Sequence, residues 1–178
     1  MPAPKSSPGR PRAAGGSRSS SKGRRRSAKS DGGGDAAGVG DGNNVARSLI
    51  VVGSKAGLEV RVAAPYGYQL EPDGAGVLTD DPRIAVNGAD AVYTDVWVSM
   101  SDDPGSAAER RRVLAPYRLD DDLLDQAAPG AVALHCLPAH PGEEITERVL
   151  YGDRQRIWDQ AENRRHAQKA LLELLIGA

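Results

Sequence analysis

Apolar and polar positions follow two different periods along the chain, and these periods predict helices alternating with strands. Residues 45–52 carry apolar side chains at helical spacing, whereas residues 58–64 alternate with period two, as a strand does. A weak apolar run at 36–39 and a glycine-rich turn at 40–44 precede that helix. A strand, a turn, a helix and a strand within about 30 residues form a βαβ unit, which predicts a parallel sheet.

Short apolar runs farther along the chain predict two more strands, separated by helices. The strands are expected at residues 89–95 and 131–134. The helices are expected at residues 80–86, 109–112, 119–127, 143–150 and 159–175. The last helix carries its alanines and leucines along one face. The basic run in 109–112 is interpreted as a solvated helix face. The whole pattern predicts an α/β domain.

Charge divides the chain into two parts of opposite sign. Residues 1–38 consist almost entirely of Pro, Ala, Gly, Ser, Lys and Arg and carry a net charge of +7, whereas residues 39–178 carry −8. The first segment cannot bury enough apolar surface to offset its ordering entropy, so we predict a disordered basic tail at 1–38 and a domain at 39–178. Its basic run at 22–26 fits a nucleic-acid arm, a nuclear signal or a transit peptide, but a solvated tail is the simpler interpretation. A nucleic-acid partner is not expected, because no aromatic residue is interleaved for base stacking.

The 178 residues include a single cysteine, which excludes an intramolecular disulfide framework and fits a reducing compartment. No apolar run approaches the roughly 18–20 residues needed to cross a bilayer. The basic N-terminus also lacks the apolar core of a secretory signal. We therefore expect a soluble, cytoplasmic protein without a membrane partner.

That cysteine, Cys136, lies between His135 and His140 at the end of a predicted strand. A thiol acts as a nucleophile or base only as the thiolate, and a nearby imidazolium or helix N-terminus can lower its pKa sufficiently. A lone cysteine behind an apolar run can instead be a small buried core residue, and a cysteine with two histidines can belong to a metal site. The metal interpretation is the weakest, since no further cysteine completes a tetrahedral set.

Two other polar residues, Asn44 and Asp95, lie where predicted strands end. Ligands of open α/β sheets bind outside the carboxyl ends of the strands, so Asn44, Asp95 and Cys136 are expected to converge at one edge. The turn at 40–44 lacks the G-x-G-x-x-G pattern, and its capping asparagines therefore indicate a polar ligand rather than a dinucleotide. Asp95 is placed to receive an ammonium group, although a helix-capping or loop role is equally compatible with its position.

Four stretches of the chain match a known family pattern in order: Gly-Asp-Gly-Asn-Asn-Val at 40–45, Asp-Val-Trp-Val-Ser-Met at 95–100, His-Cys-Leu-Pro-Ala-His with Gly-Glu-Glu at 135–144, and Ala-Glu-Asn-Arg at 161–164. Together they resemble the C-terminal half of ornithine carbamoyltransferases. Each stretch alone is a weak signal, but four in order over about 140 residues are specific. The resemblance implies a Rossmann-like, three-layer αβα domain with a parallel sheet that binds ornithine.

The resemblance also implies a role for each matching residue. Ornithine would be held by Asn44, Asp95, Ser99 and Met100, and Cys136 would accept a proton at the reacting centre. Carbamoyl phosphate would contact the backbone of Cys136 and Leu137 and the guanidinium of Arg164. The implied reaction is attack of the ornithine δ-amine on carbamoyl phosphate, giving citrulline and phosphate, without a metal or redox cofactor.

The chain also departs from the family pattern. Neither Ser-Thr-Arg-Thr-Arg nor His-Pro-x-Gln, the carbamoyl-phosphate motifs of the family's first domain, occurs in it. Ser101 replaces a usual glycine and Pro141 a usual arginine. The family forms homotrimers chiefly through that first domain, so this chain alone is expected to be a poor catalyst. The alternative function is a non-catalytic amino-acid-binding or partner module that uses its basic tail for interaction.

Overall fold

The fold is a parallel sheet with helices packed against it. The computed structural model describes residues 34–72, 74–99 and 105–177. Five parallel strands form one sheet in the order β3-β2-β1-β4-β5. The strands are β1 Asp35–Val39, β2 Glu59–Ala63, β3 Val77–Thr79, β4 Ala91–Thr94 and β5 Val132–His135. This architecture confirms the predicted α/β fold with a parallel sheet.

In the described parts of the chain, six α-helices and one 3-10 helix connect the strands or follow them. The α-helices are α1 Asn44–Lys55, α2 Pro82–Val86, α3 Ala107–Leu114, α4 Asp121–Leu124, α5 Glu147–Leu150 and α6 Ile157–Ile176; the 3-10 helix is Ala115–Tyr117. Asx and threonine side chains cap several of them: Asn43 caps α1, Asp81 caps α2, Asp120 caps α4 and Thr146 caps α5. These caps determine where the helices begin.

The buried apolar side chains form two clusters, as expected when alternate strand residues point to opposite faces. Helix α1 contributes Ala46 and Ile50 to a smaller cluster with residues of β1 and β2. Helices α2 and α4 belong to a larger cluster that also contains Val92 of β4 and Ala133 of β5. Neighbouring residues of β1 divide between the clusters, with Ala36 in the smaller and Ala37 in the larger. The core therefore lies on both sides of the sheet.

Several element boundaries differ from the sequence predictions. Strand β1 begins at Asp35, four residues inside the segment predicted as tail, because it is the central strand and pairs with both β2 and β4. Strand β3 was not predicted; its three residues are too few for a periodic pattern. Helix α5 begins at Glu147 rather than 143, since the Thr146 side chain caps it there. The predicted disorder of residues 1–33 lies outside the described residues.

Helix α6 departs most from the pattern of a packed helix. Its first residue, Ile157, is fully buried, but every described residue from 161 onward is exposed. The exposed side chains include a run of large apolar ones near its end: Leu171, Leu172, Leu174, Leu175 and Ile176. Among the described residues, no helix is both long and apolar enough to span a membrane.

Candidate active site

The site lies at the carboxyl edge of the sheet, between β1 and β4. The chain runs outward from β1 in both directions, to β2 and β3 on one side and to β4 and β5 on the other. Such a reversal of strand order leaves a crevice beyond the strand ends, where open α/β sheets bind their ligands. The segments that follow β1, β4 and β5 therefore meet around one region.

Asn43 links the first of these segments to the second. Its side-chain oxygen accepts hydrogen bonds from the backbone N–H groups of Val45 and Ala46, at 2.9 and 3.2 Å, and so caps helix α1. Its amide nitrogen donates to Asp95 Oδ2 at 2.8 Å. One asparagine thus supports a helix and orients a carboxylate 52 residues away in sequence.

Asp95 follows β4 directly and accepts three hydrogen bonds. Besides Asn43, its donors are the Val96 N–H at 2.8 Å and the Cys136 thiol at 2.6 Å, both on Oδ1. The Val96 contact is the local loop interaction considered from the sequence. The contacts to Asn43 and Cys136 bring together the ends of β1, β4 and β5, as predicted. Asp95 is therefore oriented from all three segments.

The thiol of Cys136 is half-buried and is not a thiolate near neutral pH. Burial, followed by the hydrogen bond to Asp95 and its negative charge, raises the pKa of Cys136 from 9.0 to about 12. A carboxylate beside a thiol disfavours the anionic sulfur because the charges have the same sign. The sequence hypothesis of a pKa lowered by a neighbouring imidazolium is thus contradicted.

His135 is directed away from this thiol, toward Glu144. Its Nδ1 accepts a hydrogen bond from the Leu137 N–H at 2.8 Å, so the ring proton is on Nε2, which lies 3.2 Å from Glu144 Oε1. Both side chains are fully buried. Glu144 also accepts a hydrogen bond from the His140 N–H, whereas its Oε2 is buried and has no hydrogen-bond partner among the described residues. The pair holds the 135–140 loop rather than activating Cys136.

The sequence analysis missed two residues near the cysteine: Tyr93, which interacts with Cys136, and Gln160, which bonds to Tyr93 and to the neighbouring His135. Burial and the neighbouring Cys136 raise the pKa of the Tyr93 hydroxyl to about 12, so it remains protonated. Gln160 donates to this hydroxyl at 3.1 Å and accepts from the His135 N–H at 3.2 Å. The sequence analysis treated Tyr93 only as part of a strand; in the structure it is partly buried between the buried residues Val92 and Thr94.

A pocket of about 570 Å³ opens beside Cys136. Leu137 and Arg164 line it, together with apolar residues that include Tyr151 and Trp158, whose rings stack. The three residues expected to contact carbamoyl phosphate thus border one space. Leu137 has φ 59°, a left-handed conformation uncommon for a residue with a side chain.

Of the remaining predicted ligands of ornithine, the structure describes Asn44 and Ser99. Asn44 is the first residue of α1 and is exposed, one position beyond the asparagine that contacts Asp95. Ser99 is exposed in the loop after β4. Met100 lies outside the described residues, as does Ser101. Asn43, in the same turn, contacts Asp95, and the role of Asn44 as a ligand of ornithine stays a prediction.

The fold and the site define a ligand-binding α/β domain with a carboxylate and a thiol at the switch point of its sheet. Residues 33–175 match the model of the aspartate/ornithine carbamoyltransferase family, Asp/Orn binding domain. The chain belongs to this family.

Individual relatives agree with that assignment. The chain is 53% identical to the ornithine carbamoyltransferase of Acidothermus cellulolyticus over 153 residues, which cover 79% of this chain and 49% of that protein. The crystal structure of the enzyme from Thermus thermophilus is similar with a TM-score of 0.71 and 46% identity, covering 79% of this chain and 47% of that one. The ornithine carbamoyltransferase structure from Pyrococcus furiosus gives a TM-score of 0.76 at 44% identity, covering 82% and 50%. The chain therefore spans about half the length of the curated relatives it matches.

Proposed function

We propose that this chain forms the ornithine-binding half of a carbamoyltransferase. The reaction is transfer of the carbamoyl group from carbamoyl phosphate to the δ-amine of L-ornithine, giving citrulline and phosphate. The observation that carries the proposal is the hydrogen bond between Asp95 and Cys136 at the switch point, beside a pocket bordered by Leu137 and Arg164. Membership of the carbamoyltransferase family supports the same reaction.

Asp95 is the anchor proposed for an amino group of ornithine. The donors described above (the Asn43 amide, the Val96 N–H and the Cys136 thiol) are all neutral. An arriving ammonium group would therefore add a charge-assisted hydrogen bond. Asn44, Ser99 and Met100 would hold the rest of the amino acid, with the Asn44 amide at the N-terminus of α1 suited to a carboxylate. Each of these four assignments follows the family pattern.

Cys136 is the proposed proton acceptor, and ornithine itself would prepare it for this role. In the free chain the pKa of the thiol is about 12, partly because of the Asp95 carboxylate. An ammonium group bound to Asp95 would offset that negative charge and lower the pKa of Cys136. The thiol could then lose its proton to solvent, and the resulting thiolate can accept the proton that the δ-amine loses as it attacks the carbamoyl carbon and phosphate leaves.

Carbamoyl phosphate would bind in the pocket beside Cys136. The Arg164 guanidinium is suited to a phosphoryl or carbonyl oxygen, and the backbone of Cys136 and Leu137 borders the same space. The principal phosphate-binding motifs of the family do not occur in this sequence. We therefore propose that full turnover needs a carbamoyl-phosphate domain in addition to this chain, within a homotrimer like that of the family.

Titration calorimetry with L-ornithine, with and without carbamoyl phosphate, tests the proposal. Wild type and the control Asp122→Asn, an exposed acid at the start of α4, should bind ornithine equally. Asp95→Asn should lose at least tenfold in affinity, because the amide cannot pair with an ammonium group. Absence of ornithine binding to wild type, or equal binding by Asp95→Asn, would contradict the proposal. Salt-sensitive binding of an acidic partner through residues 1–38, without ornithine binding, would favour the alternative module.

A further inference from the structure

Arg110 of helix α3 contacts three separate loops at the carboxyl edge of the sheet. Its Nε donates to the Trp97 carbonyl at 2.8 Å, and its Nη2 donates to Asp41 Oδ2 at 2.5 Å. The guanidinium carbon lies 5.0 Å from the centre of the Tyr68 ring, at cation–π distance. These partners follow β4, β1 and β2 respectively, so one side chain joins the loops of three neighbouring strands.

The two arginines beside it behave differently, although all three follow one another in the sequence. The Arg110 side chain is only 20% exposed and pairs with Asp41, which is 14% exposed. Arg111 is 47% exposed and pairs with Glu143, whereas Arg112 is 73% exposed and pairs with Glu109 one turn earlier. The interpretation of this run as a solvated face holds for Arg112, but it is wrong for Arg110.

The loops that Arg110 joins carry the groups proposed to bind ornithine. Asp41 is two residues before Asn43, and Trp97 is two residues after Asp95. Asn43 and Asp95 are themselves hydrogen-bonded. Any movement of the turn after β1 relative to the loop after β4 would therefore change the distance between the Asn43 amide and the Asp95 carboxylate.

Close packing of the third loop makes this arrangement sensitive to small shifts. Gly42 donates its N–H to the Tyr68 carbonyl at 2.8 Å, and a Cβ at position 42 would lie 2.4 Å from that oxygen. The turn after β1 thus rests directly on the backbone after β2. Arg110 contacts the same two segments, the turn after β1 through Asp41 and the loop after β2 through the Tyr68 ring.

We propose that Arg110 is a positioning residue for the amino-acid site, which holds the turn at 41–43 and the loop at 95–99 in the relative position that orients Asp95. The identity of the ligand in this inference rests on the proposed function, whereas the contacts of Arg110 are those of the structure. The role suits arginine, because its planar fork can donate to two acceptors in different directions while its face covers an aromatic ring. A lysine ammonium at this position could reach only one of the acceptors well.

The test compares wild type with Arg110→Met, Arg110→Lys and the matched control Arg112→Met. Three quantities are measured on each chain: the Kd for L-ornithine by calorimetry, the rate of Cys136 alkylation by iodoacetamide as a function of pH, and the thermal unfolding transition. Cys136 is the only cysteine, so alkylation reports on the site alone. The alkylation rate should also depend on the position of Asp95, whose carboxylate accepts the thiol hydrogen bond, whether or not ornithine is bound.

Arg110→Met should raise the Kd by about tenfold or more, which corresponds to about 1.4 kcal/mol. It should also shift the alkylation profile to lower pH, since a loosened edge admits water to the thiol. Arg110→Lys should lie between wild type and Arg110→Met. Arg112→Met should match wild type within about twofold in both measurements.

Each other outcome has a defined meaning. If Arg110→Met and Arg112→Met alter both measurements equally, the inference is overturned. If wild type does not bind ornithine, the proposed function fails, and the alkylation profile alone decides the role of Arg110, with an unchanged profile overturning it. If Arg110→Met loses its cooperative unfolding transition, Arg110→Lys and Asp41→Asn take its place in the test. The role of Arg110 requires both variants to shift the pH profile of Cys136 alkylation to lower pH. It is refuted if either variant has the wild-type profile.

Discussion

At the scale of single residues, the Asp95–Cys136 contact decides the chemistry available to the site. A cysteine beside histidines suggests a reactive thiolate, but here the neighbouring charge is negative and the nearest imidazole is bound to Glu144. Both features keep the proton on sulfur. In the free chain the thiol is therefore held in its protonated form near neutral pH.

Asp95→Asn should make Cys136 more reactive. The substitution removes the negative charge beside the thiol and leaves its burial unchanged, so the pKa should fall from about 12 toward 9.0 without reaching it. The rate of iodoacetamide alkylation at pH 8 should increase by about tenfold, because the thiolate is the reacting species. Asp122→Asn serves as the control and should react like wild type. A slower reaction of Asp95→Asn would show that the carboxylate activates the thiol instead.

The same pKa shift predicts how stability changes at alkaline pH. The folded state holds the thiol proton more tightly than the unfolded state, with a pKa of about 12 against 9.0. This contribution is fully present below pH 9 and is lost as the pH rises from 9 to 12. The urea midpoint should therefore fall more between pH 8 and pH 10 for wild type than for Cys136→Ala. Parallel pH dependence of the two chains would refute the shift.

At the scale of elements, the capping of α1 couples helix formation to the site. Asn43 supplies the cap to Val45 and Ala46 and simultaneously orients Asp95. The helix can therefore begin at Asn44 only when Asn43 points toward the sheet edge. The cap of α1 and the orientation of the Asp95 carboxylate therefore depend on the same side chain.

Neighbouring asparagines provide a matched pair for testing this coupling. Asn43→Ala should lower the free energy of unfolding by about 1 kcal/mol through loss of the cap, and more if the contact to Asp95 contributes. Asn44→Ala should change it by less than about 0.5 kcal/mol, since this side chain is exposed at the helix surface. Urea denaturation followed by circular dichroism measures both. Equal losses in the two variants would mean that the cap is not at position 43.

At the scale of the whole molecule, the sheet is well covered whereas α6 is not. Ile157 is fully buried against the core, but Leu174 and Leu175 are 78% and 73% exposed. Apolar side chains grouped in this way on a helix surface favour association with other apolar surfaces. They do not contribute to the described core.

Replacing the exposed leucines of α6 should therefore affect association rather than folding. Leu174→Glu with Leu175→Glu should reduce binding of an apolar fluorescent dye and concentration-dependent self-association, and change the free energy of unfolding by no more than about 0.5 kcal/mol. Ile157→Ala, at the buried end of the same helix, should cost about 2–5 kcal/mol. Sedimentation velocity and urea denaturation measure the two effects. A large loss of stability in the double variant would indicate that α6 packs along its length.

Sequence periodicity alone determined that the chain forms a parallel sheet and that Asp95 and Cys136 follow the ends of its strands. These features depend on local side-chain alternation and on turn residues, which can be recognised in any single segment. The four motif stretches further identified the family to which the chain belongs.

Only the tertiary structure decided which of these residues act together. Pairing of β1 with β4 placed Asn43, rather than Asn44, against Asp95, and the packing of α3 separated Arg110 from the otherwise identical Arg112. Other contacts between segments turned His135 toward Glu144 and raised the pKa of Cys136. Hydrogen-bond direction, burial and the sign of a neighbouring charge arise from segments far apart in the chain, and no local pattern specifies them.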